Sequence, residues 1–156
     1  PGIEKAQRGG PGILPEDHPD IATAMANLAL SYNDLGRLDE AVKIQEEVLA
    51  LSRRILPEEH PDIARAMADL AASYRDLGRL DDAVKIEEEV LELSRRIHPE
   101  DHPDIATAMA NLAASYRKLG RLDEAVKIGE EVLELRRRIL PEEHPDIASA
   151  CSVLLQ

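Results

Sequence analysis

The five residues HPDIA occur at 18–22, 60–64, 102–106 and 144–148, each copy 42 residues after the one before. The match extends well beyond the motif. Residues 18–59 and 60–101 differ at nine positions, and residues 18–59 and 102–143 at six. A fixed period of that length and fidelity is the signature of a repeat architecture, in which one unit cannot bury its own apolar face and neighbours stack to do so.

Each unit reads as two helices. In the first, Ile21, Met25, Leu28, Tyr32 and Leu35 recur at three- and four-residue steps, with Ala22, Ala24 and Ala29 beside them. That is an amphipathic helix with a wide apolar stripe. Pro19 suits its first turn, Asp20 complements the helix dipole there, and Gly36 is placed to stop it. Leu38 leads into the second helix, whose stripe is Ala41, Ile44, Val48, Leu51 and Ile55. Arg53 and Arg54 fall in its last turn, where cations are favourable, and Pro57 ends it. Ala24, Ala29 and Ala41 are small enough to let helix backbones approach.

The fold class that follows is all-α: an α-solenoid of stacked antiparallel helical hairpins. Its divisions are a tail with the remnant of a preceding repeat at 1–17, repeats at 18–59, 60–101 and 102–143, and a half repeat at 144–156.

Composition agrees with thin helical layers. The chain has no Phe or Trp and three Tyr among 156 residues, and 32% of it is charged. The net charge of −12 argues against nucleic acid or an anionic membrane as partner, because phosphates need a basic face. No apolar run approaches the roughly 18 residues of a membrane span. Cys151 stands alone, so no internal disulfide can form, and a reducing, cytoplasmic setting is expected. It takes the repeat position of Met25, Met67 and Met109, which reads as a small buried apolar residue rather than a nucleophile.

With these residues in view, the unit resembles a tetratricopeptide repeat. The carriers are Gly36-Arg37-Leu38-Asp39-Glu40-Ala41 between the helices, with Leu28-Ala29 and Tyr32 upstream. Met25 stands where that family is usually aromatic. The usual unit has about 34 residues, and the 42-residue variant with its His-Pro-Asp start is similar to the repeats of kinesin light chain and to arrays in bacterial and fungal signalling proteins. The resemblance covers residues 13–156 and implies a right-handed superhelix whose first helices line a concave groove. One departure is position 45/87/129, often aromatic or Cys in the family, which here holds Gln45, Glu87 and Gly129.

The HPD triplet is also the loop by which J-domain cochaperones engage their partner. Four in-register copies at helix starts favour a structural role. The repeat histidines lack a second ligand at metal-binding spacing, and successive repeats stand about 10 Å apart, too far to share an ion. No nucleophile with its base, no glycine-rich phosphate loop and no isolated carboxylate pair is present, and Ser31, Ser73 and Ser115 read as structural. Neither catalysis, a metal nor a cofactor is expected.

Differences between repeats are more informative. Five of the variable positions fall on the first helix, at Thr23/Arg65/Thr107, Asn27/Asp69/Asn111, Leu30/Ala72/Ala114, Asn33/Arg75/Arg117 and Asp34/Asp76/Lys118. Positions 23, 27, 30 and 34 share a helical face apart from the Met25–Leu28–Tyr32 stripe. By the resemblance, this face lines the groove, and Asn27, Asp69 and Asn111 match the Asn that hydrogen-bonds a ligand's backbone. Arg65, Arg75, Arg117 and Lys118 would set cations along it beside Asn33. The expected function is therefore a peptide-binding or scaffolding module that takes an extended or helical segment with acidic groups facing Arg75 and Arg117.

The ends supply a rival. Pro1 in place of Met points to a trimmed or excised chain, and Gly9-Gly10-Pro11-Gly12 breaks any helix before Ile13, so residues 1–12 are expected to be mobile. Residues 144–156 begin a first helix without a second. A head-to-tail stack, with residues 18–36 of one chain replacing 144–156 of another, would yield oligomers or fibres.

Overall fold

The computed structural model describes residues 17–140. Six helices follow in chain order: α1 Pro19–Asp34, α2 Leu38–Ile55, α3 Pro61–Asp76, α4 Leu80–Ile97, α5 Pro103–Lys118 and α6 Leu122–Ile139. They pair as hairpins α1–α2, α3–α4 and α5–α6, and the extensive helix contacts all join helices consecutive in the chain. This is the α-solenoid of stacked antiparallel hairpins, with no strand among the described residues. The half repeat, Cys151 and the tail before Asp17 lie outside them.

The HPD triplet acts as a helix start through all three of its residues. Nδ1 of His18, His60 and His102 accepts the backbone N–H of Asp20, Asp62 and Asp104, each at 3.1 Å. An imidazole thus satisfies one of the orphan donors of the first turn. Proline follows at the first helical position, where its missing N–H costs nothing. At the other end the chain reverses through glycine. Gly36, Gly78 and Gly120 have φ of 72°, 77° and 78°, a left-handed conformation in which a side chain would be strained. The Arg37 and Arg79 amides then reach back to the carbonyls of Tyr32 and Tyr74 at 2.9 and 2.8 Å, closing each turn.

Each turn also carries an arginine that holds the hairpin's corner. The guanidiniums of Arg37, Arg79 and Arg121 lie over the rings of Tyr32, Tyr74 and Tyr116 at 4.7, 4.3 and 4.4 Å. The same arginines pair with Glu40, Asp82 and Glu124 one turn into the next helix.

The core runs along the stack as one layer. Ala29 and Ala41 are fully buried where α1 and α2 cross, as Ala71 and Ala83 are at the next hairpin. Ala24, also expected to permit close approach, is exposed, and only its counterpart Ala108 is buried. The difference follows from position in the stack. Leu70 and Leu112 are each 2% exposed, whereas Leu28 on the outer hairpin is 48% exposed, because the inner pair each pack against a preceding hairpin. Burying such a leucine contributes about 1.5–3 kcal/mol, so the junctions between the described hairpins supply much of their stability.

Candidate binding groove

Two depressions open between successive first helices, and side chains from two of the variable positions, 23/65/107 and 27/69/111, line them. The first, about 300 Å³, lies between α1 and α3 over the end of α2. Thr23, Asn27 and Leu30 form one wall and Arg65 and Asp69 the other, over Val48 and Ser52. The second, about 320 Å³, lies between α3 and α5 over Val90, Ser94 and His98, with Arg65 on one side and Thr107 and Asn111 on the other. Arg65 therefore borders both.

Of the eight residues expected in the groove, Asn27, Arg65, Asp69 and Asn111 are found there. Asn33 and Arg75 turn elsewhere. Asn33 Nδ2 donates to Ser73 Oγ of the next hairpin at 3.4 Å, and Arg75 Nη1 lies 3.3 Å from Oε1 of Glu87, which is almost wholly buried. Arg117 and Lys118 are exposed near the end of α5 and line neither depression. For Asn33 and Arg75 the reason is helical geometry: position 33 lies about a quarter turn from the centre of the 23–27–30 face.

That placement gives Glu87 a structural account, and Gly129 has none. Gln45, Glu87 and Gly129 are all buried, and the change from Gln45 to Glu87 accompanies the change from Asn33 to Arg75. Burial pushes the Glu87 carboxyl above the usual range, opposed by the Ser115 hydroxyl and by the charges of Arg75 and Lys118.

Electrostatics within the groove are balanced rather than basic. Arg65 pairs with Asp62 at 2.9 Å. Burial raises the Asp69 carboxyl, and the Arg65 charge works against that shift. The Thr23 and Thr107 hydroxyls donate to the carbonyls of Pro19 and Pro103 at 3.2 and 3.1 Å.

A second pair of depressions differs in kind. One is lined by Arg53, Ile63, Met67, Glu89, Leu93 and Arg96, the other by Arg95, Ile105, Met109, Glu131, Leu135 and Arg138. The residue types are the same at both, and ion pairs cross each: Arg53–Glu89 at 3.1 Å and Arg95–Glu131 at 3.8 Å. These two depressions thus repeat one another, whereas the two between first helices differ in their linings.

One residue escapes the sequence reading altogether. His98 stands where Leu56 and Leu140 stand in the neighbouring repeats, and its ring stacks on His102 with centroids 3.8 Å apart and planes 10° from parallel. The expectation that no repeat histidine has a second ligand nearby therefore does not hold for His102. The signal was there in the sequence, since His98 precedes His102 by four residues.

A family profile for the tetratricopeptide repeat matches residues 20–96, 70–138 and 104–152. No curated protein sequence matches the chain. Among solved structures, a Podosopora anserina protein described as a kinesin light chain with nearly identical TPR-like repeats superposes with a TM-score of 0.77 at 29% identity. The match covers 88% of this chain and 65% of that one. BtubC (BKLC) from P. vanneervenii gives a TM-score of 0.78 at 27% identity, over 88% and 55% of the two chains. PcrH, solved in complex with the chaperone binding region of PopB, shares the fold with a TM-score of 0.66 at 20% identity, over 88% and 97%. The chain thus spans less than two thirds of the kinesin-light-chain-like and BtubC structures it matches.

Proposed function

The chain belongs to the tetratricopeptide repeat family, whose members mediate protein–protein interactions, and from that premise we propose that it binds a peptide segment along the α1–α3–α5 groove. The observation that carries this reading is the coincidence of variation and concavity. Positions 23/65/107 and 27/69/111 differ between otherwise near-identical repeats, and they line consecutive depressions that meet at Arg65. Asn27 and Asn111 each offer an amide donor and acceptor suited to a peptide backbone.

An acidic partner would meet Arg117 and Lys118, the cations of the expected set that have no ion pair among the described residues. Arg65 is paired with Asp62 and Arg75 with Glu87. Peptides selected from a random display library against the whole chain test the assignment. Binders should lose affinity with Asn27→Ala and Asn111→Ala together and keep it with Arg53→Ala on the opposite side. The reverse pattern sinks the groove reading.

A second reading, end-to-end self-association, is favoured by the outer faces. Leu35 is 70% exposed on α1 and Leu122 58% exposed on α6, and Val126 is exposed although its counterparts Val42 and Val84 are buried. The counterparts of Leu35 and Leu122 are partly buried and those of Val126 buried, so a second chain continuing the stack would cover them further. Sedimentation that stays monomeric over a wide concentration range would remove this reading.

No described helix is long and apolar enough to cross a membrane.

A further inference from the structure

We propose that His98, His102 and Asp104 form a binding site for a divalent transition-metal ion of the zinc class at the junction of α4 and α5. Two imidazoles and a carboxylate are the donor set that such borderline ions take. His98 ends α4, while His102 and Asp104 start α5. Their ligand atoms all lie within 4.8 Å of one another.

The distances suit an ion after a small adjustment. His98 Nε2 is 3.3 Å from Asp104 Oδ2, and His102 Nδ1 is 3.8 Å from the same oxygen. A tetrahedral ion with bonds of about 2.0–2.2 Å wants its ligands about 3.4 Å apart, so the Asp104 separations are close to that already. The two rings need only swing from parallel stacking so that their lone pairs converge. Three protein ligands leave one position for water, the arrangement of an open site.

The helix cap shows why this junction differs from the others. His18–Asp20 and His60–Asp62 repeat the His102–Asp104 arrangement at 3.6 and 3.8 Å, but Leu56 stands before His60 where His98 stands before His102. Only the third copy gains a third ligand. In the absence of metal, His102 Nδ1 accepts the Asp104 N–H. An ion taking that lone pair releases the N–H, so metal binding competes with the cap of α5. The surroundings tolerate a cation: Asp62 lines the same depression, and it neutralises Arg65, the nearest cationic side chain lining it.

Zn²⁺ titrated calorimetrically into the metal-stripped 156-residue chain tests the site, with Co²⁺ added in parallel so that coordination is read from its visible absorption. All arms carry Cys151→Ser, which removes the one thiol as a competing ligand. The expected result is one ion per chain, weakened about tenfold or more by His98→Leu and by Asp104→Asn, and unchanged by His60→Asn. His98→Leu installs the residue that the other repeats already hold, so its thermal melt should match the parent's and loss of binding cannot be assigned to unfolding. Equal affinity in His98→Leu, or a parent chain that gives only the weak uptake of scattered carboxylates, overturns the proposal.

Discussion

Tyr116 donates its hydroxyl to Glu88 Oε1 at 2.5 Å, from the first helix of one hairpin to the second helix of the hairpin before it. Tyr74 makes the same bond to Glu46 at 2.6 Å. Each tyrosine also lies beneath an arginine of its own hairpin turn, so one side chain joins a corner to a junction. This is the solenoid's repeated clasp.

Removing the clasp should weaken the stack by a definite amount. A charge-assisted hydrogen bond to a carboxylate contributes about 1.5–3 kcal/mol. Tyr74→Phe or Tyr116→Phe keeps the ring and the cation–π contact, so the expected loss is the hydrogen bond alone. Thermal melts should fall by about 2–4 °C for each kcal/mol in a chain of this size. Melts that coincide with the parent's would show the bond to be solvent-compensated.

The same pair sets an alkaline limit. Burial, then the hydrogen bonds to Glu46 and Glu88, pushes the Tyr74 and Tyr116 hydroxyls up to about 12. A group whose folded pKa is raised contributes stability that is full below the unfolded value, near 10, and lost as pH rises through the folded one. The parent should therefore lose stability between pH 10 and 12 more steeply than the Tyr74→Phe/Tyr116→Phe chain. Denaturant titrations across that window measure the difference. Parallel pH profiles would contradict it.

Gly78 isolates a purely conformational cost. Its φ is +77°, and a Cβ built there meets nothing within 4 Å. Gly78→Ala should thus destabilise by about 1–2 kcal/mol through backbone strain alone, with Gly78→Asn milder because Asn visits that region more readily. Equal effects of Ala and Asn in urea unfolding would point to some other cause.

How much of this was legible in the chain depends on which interaction decides each feature. The 42-residue period, the Pro19 start and the Gly36 stop are local, and local chemistry is written residue by residue. The helix bounds accordingly match the apolar stripe from Ile21 to Leu35. Asn27 and Asn111 were readable for the same reason, since a helical face needs only counting. Arg75 was not, because its partner Glu87 lies on the other helix of the hairpin, and position 45/87/129 looked like an unexplained variable site. Exposed or buried cannot be read from charge alone. His98 was missed differently: it lies at a helix end, outside either periodic stripe, where only comparison with Leu56 and Leu140 marks it.

The exchange of Asn33 and Gln45 for Arg75 and Glu87 makes a testable unit. Removing one member of a buried ion pair leaves the other charge without its partner, which costs about 3–5 kcal/mol. Arg75→Asn, which strands the buried carboxylate, should destabilise the most, whereas Glu87→Gln should cost little, because Arg75 retains access to water and the amide resembles the neutral acid. The double variant recreates the pair of the first hairpin and should recover most of the loss, since replacing a whole buried pair is often neutral or favourable. Acid supplies an independent check. Burial raises the Glu87 carboxyl above its unfolded value, so its protonated form is the one the fold prefers. Its contribution is complete below the unfolded carboxylate pKa and declines as pH rises through the folded one. Lowering pH through the carboxylate range should therefore stabilise the parent relative to the double variant, in which position 87 does not titrate. Urea midpoints at neutral and acidic pH decide it: a gap between the two chains that stays constant, or moves in favour of the double variant in acid, would show that Glu87 is comfortable as an anion and that Arg75 more than offsets its burial.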